Sequence, residues 1–545
     1  MSSIPVPASD ADAVPAISAA TVKLGLHGGR ETALLDVREH GEFVAGHPFL
    51  ATSAPLSRFE PELLRLAPSP AAHLVLYDEG AGLRAARAAR IARTLGYRDL
   101  AVMTGGAVAW RAAGYALFEG EHLPSKTFGE LLQEACEVPT VSAAALDSRR
   151  KQGEKILLLD GRPFEEHRRM CIPDSLCLPN GDLAYRIGAA LDADATPIVV
   201  HCAGRTRGIV GAQTLRNLEL PNPIAALEDG TQGWRLAGLA LEHGSERLVR
   251  DMPDKELRRA QFAQARRYAE RWGVPRLDVE TLLAWTRESA RTTYLLDVRS
   301  PEEFATRRAA AIQNAPGGQL VQATDRWLAV RGARVVLLDD TEIRAVVTAN
   351  WLRQMGWDAV ALAGGTAAWP ALAALEEPRA HRFDHLPRIL PAELAALRAK
   401  APSLSILDLR PSLDFRAAHL EGARWAVRAQ LPQLLASATA DLPVILVAAD
   451  GVLAGLAAAD LTALGFRPQW LSGDAADWQA AGLATLGTPE DPPDADRVDF
   501  AAFAHDRHAG NLAASREYLA WEKGLVGRLD RYERAVFKVA NASRP

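Results

Sequence analysis

A chain of 545 residues is too long for one hydrophobic core, so several domains are expected. With 48% apolar and 24% charged residues and a formal net charge of −5, it has an ordinary globular composition, and no basic stripe or acidic block points to nucleic acid or a charged tail. Four cysteines cannot form a disulfide framework, no apolar run approaches the roughly 18 residues of a membrane helix, and the opening residues lack a secretion signal; a reduced, cytoplasmic protein without membrane contact is expected.

Read in chain order, the predicted elements recur. An apolar strand ending in Asp-x-Arg opens four segments: ALLDVREHGEF from Ala33, LLLDGRPFEEH from Leu157, YLLDVRSPEEF from Tyr294 and SILDLRPSLDF from Ser405. The pairs are Asp36/Arg38, Asp160/Arg162, Asp297/Arg299 and Asp408/Arg410. Six residues after each Asp stands an acid (Glu42, Glu166, Glu303, Asp414), followed by Phe in three segments and by His167 in the second. A second apolar strand ends 42 residues beyond the same Asp, on Asp78, Cys202, Asp339 and Asp450. A helix-like stretch follows, then a small-residue turn closing on Trp110, Trp234, Trp369 or Trp478. One domain is therefore repeated four times.

Strands alternating with helices predict an α/β fold, each unit a parallel sheet flanked by helices, and the unbroken apolar runs suit strands buried on both faces. The units are placed at 15–120, 135–245, 276–375 and 385–485. A charged helical linker is expected over 246–275, and its length suggests two halves, first with second and third with fourth. Over 498–545, Tyr518, Leu519, Trp521, Leu525, Leu529, Tyr532 and Val536 fall at helical spacing, predicting an amphipathic helix or helix pair packed on a domain.

Ligands of such sheets bind outside the carboxyl ends of the strands. There the second unit alone places a nucleophile, in Cys202-Ala203-Gly204-Arg205-Thr206-Arg207-Gly208, before a helical stretch. A thiol at a helix N-terminus, beside Arg205 and Arg207, is expected to favour the thiolate. Small Ala203 and Gly204 let the backbone curl around sulfur, and the loop from Ala203 to Arg207 would cradle an anionic substrate. Asp78, Asp339 and Asp450 read as helix caps and leave their units catalytically inert.

Asp160 and Arg162 recur where no nucleophile exists, so they are expected to tie the strand to neighbouring loops, with a supporting role near Cys202 second. His201 is assigned to the strand, pointing away from the loop, and His167 is expected to be partly exposed. Cys136, Cys171 and Cys177 lack metal-ligand spacing and read as small buried side chains, with Cys171 the candidate resolving thiol. His505 and His508, three apart, read as surface residues. Neither a metal nor a cofactor is expected.

These motifs resemble the rhodanese domain of the thiosulfate sulfurtransferase family, and the whole arrangement is similar to bacterial proteins with four such domains and one active site. The resemblance implies that Cys202 takes the sulfane sulfur of a donor as a persulfide, which an acceptor then removes. Two arginines suit thiosulfate, a small anionic donor; the acceptor would be a thiol, cyanide or a sulfur-relay protein. The loop does not match the Cys-Gly-x-Gly pattern of mercaptopyruvate enzymes. Phosphatases of the same fold use His-Cys-x5-Arg, whereas four residues separate Cys202 from Arg207. A persulfide carrier or scaffold, with the inert units binding partners, is the alternative; a redox sensor is a third reading.

Overall fold

The computed structural model describes residues 14–191, 196–250, 254–373, 375–381, 386–401, 404–436 and 443–540. Each unit forms a five-stranded, all-parallel sheet with one strand order. In the second unit that order is Thr140–Val141, Ile224–Leu227, Ile198–His201, Leu157–Asp160 and Leu176–Cys177. The central strand is thus the one that ends just before Cys202. Its register pairs Leu157 with Ile198 and Asp160 with His201, which brings the Asp-x-Arg strand end level with the Cys202 loop. Val199 and Val200 are both buried, as a strand covered by helices on two faces requires.

The Asp-x-Arg pair does the same work in every unit. Arg162 Nε and Nη2 donate to the Asp160 carboxylate at 2.9 and 2.7 Å, and Nη2 also donates to the Met170 carbonyl at 2.5 Å. Arg38, Arg299 and Arg410 make the same clasp to the carbonyls of Gly46, Arg307 and Ala418. The strand is tied to the end of the following helix, as the sequence suggests.

The units do not pair as the long connection implies. The second docks on the third: Arg344 Nη1 bridges Asp182 at 2.8 Å and Glu303 at 2.6 Å. Beside this pair the Gly181 and Gly318 backbones approach so closely that a Cβ on Gly181 would lie 2.6 Å from the Gly318 nitrogen. The first docks on the fourth through Arg428, which holds Glu60 and Asp460, each at 2.6 Å, and through Arg58–Asp450 at 2.6 Å. The segment expected as a linker contains helix Lys255–Trp272, which buries Gln261, Ala265, Tyr268 and Ala269. Tyr268 accepts a hydrogen bond from Asn350, and Gln261 donates to the Tyr185 carbonyl, so this helix packs between the second and third units. One apolar cluster runs through the first three units, while the fourth has cores of its own.

Two elements close over the second unit. Helix Leu123–Cys136 fills the stretch between the first two units, to which the sequence reading assigned nothing. The C-terminal segment forms helices Leu512–Arg528 and Arg531–Arg534, the longer one burying Tyr518, Leu519 and Leu525. Among the described residues no helix is long and apolar enough to cross a membrane.

Candidate active site

Cys202 follows the last residue of the central strand, His201, and is 2% exposed. The loop after it is pinned from the turn before Trp234. The Cys202 carbonyl accepts the Thr231 amide at 2.9 Å, and the Ala203 carbonyl accepts the Gln232 amide at 3.1 Å. Gly230 makes this approach possible: at φ +53° it lies so close that a Cβ would sit 2.2 Å from the Cys202 oxygen. Helix Thr206–Asn217 then begins, and Asn180 Nδ2 holds the Arg207 carbonyl at 2.8 Å. Among the described residues the amides of Gly204, Arg205, Arg207 and Gly208 have no protein acceptor. They leave free donors at the N-terminal end of that helix.

A cavity of about 510 Å³ opens on Cys202. Ala203, Gly204, Arg207, Arg162 and Gln232 line it, with Gln232 Oε1 buried and unpartnered. Arg207 reaches it while held by Glu166 in a two-pronged pair at 2.7 and 2.9 Å. Burial works against the Arg207 charge, but Glu166 and Cys202 outweigh it and push its pKa up. Burial likewise opposes the Glu166 charge, and Arg207 overcomes it.

The loop residues are not all brought together. Arg205 and Thr206, expected in the same cradle, do not line this cavity. Arg205 Nε pairs with Glu130 at 2.6 Å and its Nη1 with Asp229 at 3.2 Å, on the side of helix Leu123–Cys136. Thr206 Oγ1 donates to Glu522 at 2.6 Å. Two loop charges drawn from the sequence therefore become one at the cavity, because acids from distant elements claim Arg205.

Beneath the loop, Asp160 is fully buried. Burial disfavours its charge, yet His201, Arg162 and a hydrogen bond from His167 hold it well below the usual carboxylate range. His167 is itself buried, not partly exposed: Nδ1 meets Asp160 at 3.0 Å and Nε2 meets Ser245 at 3.0 Å. It fills the core position of Phe43 and Phe415, so the ring had to go inside. Burial lowers its pKa, but Asp160 and Cys171 prevail and raise it to about 9. His201 lies in the strand and off the cavity, with a pKa lowered to about 4 by burial against the pull of Asp160. Cys136, Cys171 and Cys177 are buried, and burial pushes the Cys177 thiol up.

The rest of the wall comes from far away in sequence. Lys126 enters from helix Leu123–Cys136, and Arg507, His508, Tyr518 and Trp521 from the C-terminal segment. His508 is half-buried on this wall, not on the outer surface, and lies in a turn, so it shares no helix face with His505. Lys126 sits 3.6 Å from the buried Glu522 and over the Tyr518 ring. Burial opposes the Lys126 charge, and Glu522 and Tyr518 outweigh it. Nothing in the Cys202 motif announces these groups. The only sequence signals are the helical spacing of Tyr518 and Trp521 and the apolar periodicity of 123–136.

The family profile of the rhodanese-like domain matches residues 18–113, 142–237, 278–372 and 390–481. The chain belongs to the rhodanese family. Its four rhodanese domains are similar as a set to the crystal structure of a thiosulfate sulfurtransferase from Pseudomonas aeruginosa: 37% identity, TM-score 0.87, 96% of this chain and 100% of that one. An HTH-type transcriptional regulator of Mycobacterium tuberculosis is 33% identical over 105 residues, 19% of this rhodanese and 45% of the regulator, so the match spans less than half of that protein. A rhodanese-related protein from Thermoplasma volcanium aligns with 19% of the chain and 97% of its own, at 24% identity and a TM-score of 0.17.

Proposed function

We propose that this rhodanese is a sulfurtransferase that moves a sulfane sulfur from thiosulfate or a related donor to a thiol or cyanide through a persulfide on Cys202. The observation that carries the reading is the loop: one thiol at the end of the central strand, facing a cavity, with unpartnered amides and Arg207 beside it. The full-length similarity to a thiosulfate sulfurtransferase supports the same chemistry.

The Cys202 thiolate attacks the outer sulfur of thiosulfate. A bond forms between the two sulfurs, the donor's S–S bond breaks, and its electron pair leaves on sulfite. Arg207 and the loop amides stabilise the departing anion, as preorganised donors do. Cyanide carbon or a thiolate then attacks the outer sulfur, and Cys202 regains its electron pair. Asp160 supports the loop from below, and Arg162, clasped to it, also reaches the cavity wall. A reduced, cytoplasmic setting, where the four free cysteines stay thiols, suits this cycle. A phosphatase reading is disfavoured because the loop has four residues, not five, between Cys202 and Arg207.

Intact mass after brief exposure to thiosulfate tests the proposal, with Cys202→Ser alongside. A gain of one sulfur on the wild type alone, removed by cyanide, is expected. A gain on the variant, or none on either, sinks the Cys202 persulfide.

A further inference from the structure

Behind the Cys202 cavity lies a second hollow of about 540 Å³. Arg169, Met170, His508 and Ala509 line both, so they form a common wall. The second hollow does not touch Cys202; it is floored by Leu239, Ala240 and Leu241 and edged by Arg235 and His243. A compact donor such as thiosulfate has no use for such a space. A longer molecule with sulfur at one end and negative charge at the other would use both.

The charges favour that molecule. Neither Arg169 nor Arg235 makes an ion pair among the described residues, and Arg235 donates from Nη1 to the His508 carbonyl at 3.2 Å. His508 Nδ1 is buried without a partner on the dividing wall. Burial and the neighbouring cations Arg507, Arg162 and Arg207 hold this imidazole at a pKa of about 3, against the pull of Glu166, so it is neutral and stands in a positive field. The second hollow has cationic and neutral polar groups at its edge, an apolar floor and no carboxylate lining it.

We propose that this hollow is the acceptor subsite, and that it selects a small thiol carrying carboxylates, held by Arg235 and Arg169 while its sulfur passes Met170 to Cys202. The proposal rests on the sulfurtransferase reading and names its acceptor class. The acceptor thiolate attacks the outer sulfur of the protonated Cys202 persulfide. The acceptor's new S–S bond forms, the bond from that sulfur to Sγ breaks, and the electron pair returns to Sγ as thiolate. The acceptor leaves as a persulfide that keeps the proton on its terminal sulfur. No oxidant or reductant is needed.

The test uses the full-length protein with thiosulfate as donor and three acceptors: cyanide, 2-mercaptoethanol and mercaptosuccinate. At equal thiolate concentration, mercaptosuccinate is expected to show a kcat/KM about tenfold above 2-mercaptoethanol, the scale of one charge-assisted hydrogen bond. Arg235→Gln should remove about that factor for mercaptosuccinate and leave the other two within about twofold, and Arg235→Lys should restore part of it. Succinate, which has the carboxylates and no thiol, should compete with mercaptosuccinate in the wild type, an arm that needs no variant. Equal losses for all three acceptors in Arg235→Gln would make the residue merely structural and overturn the proposal. So would no preference for mercaptosuccinate, or no competition by succinate. Absence of cyanide turnover in the wild type would instead overturn the sulfurtransferase reading, and the subsite with it.

Discussion

The second and third repeats carry the same arginine five residues after the strand end, and the same acid answers it: Glu166 for Arg207 and Glu303 for Arg344. What differs is the strand-end residue itself. In the third repeat the Asp339 carboxylate turns onto its own loop, accepting the Arg344 amide at 3.3 Å, the Ala345 amide at 3.4 Å and Arg344 Nε at 3.4 Å. Arg344 is fully buried, pairs also with Asp182 of the second repeat, and lies 3.9 Å over the Tyr185 ring. That loop is filled by its own charges and serves as an interface. In the second repeat Cys202 makes no such claim on the helix N-terminus, so Arg207 keeps one acid and faces a cavity. The first and fourth repeats repeat the lesson. Asp78 accepts the amides of Gly80, Gly82, Arg84 and Ala85, and Asp450 caps helix Gly451–Ala463 while binding Arg58 of the first repeat. The ion pair is common to both repeats; the candidate site lies where no carboxylate occupies the loop.

Exchanging the strand-end residues breaks the comparison most severely. Cys202→Asp should abolish thiosulfate:cyanide transfer by at least about a thousandfold, as loss of a nucleophile does, with an unchanged far-ultraviolet spectrum. Asp78→Cys in a Cys202→Ser background should not restore it, because Lys126 and the C-terminal segment wall the second repeat's cavity. Thiocyanate release from that double variant would mean that a thiol at any strand end suffices. The two arginines should then separate. Arg344→Ala leaves Asp182 and Glu303 less well paired in a buried interface, and is expected to cost about 3–5 kcal/mol in urea unfolding. Arg207→Ala should act on turnover, weakening thiosulfate more than a neutral polysulfide by the worth of a charge-assisted bond, about 1.5–3 kcal/mol. If both donors weaken alike, Arg207 is scaffold only, like its counterpart.

The repeat made the fold legible, since every strand end and its 42-residue spacing could be checked against three copies. The placement of Cys202 followed from the same spacing. What spacing could not show is which charges survive into the cavity. Arg205 is taken by Glu130, 75 residues away, and Thr206 by Glu522, 316 residues away. The pairing of repeats was equally hidden, because the long connection after the second repeat suggests two halves while Arg344–Asp182 and Arg428–Glu60 join second to third and first to fourth. His167 was misplaced for a local reason. A histidine where the other repeats have phenylalanine reads as exposed unless the buried Asp160 that receives it is known.

That substitution offers the finest test of the comparison. His167→Phe gives the second repeat the residue of the other three and removes one cation from Asp160. The folded-state pKa of His167 is raised from 6.5 to about 9, so protonation favours the native state. Its contribution is complete below about pH 6.5, where the unfolded chain is also protonated, and is lost as pH rises through about 9. The wild type should therefore lead the variant by most in urea at pH 6. The gap should narrow by about 3 kcal/mol by pH 9.5, on the scale set by that shift. Both proteins keep the Arg162 clasp on Asp160, so the pH-dependent part of the gap isolates the histidine. A gap that stays constant across this range would mean that His167 is neutral in the fold and serves only as the space-filling ring that phenylalanine provides elsewhere.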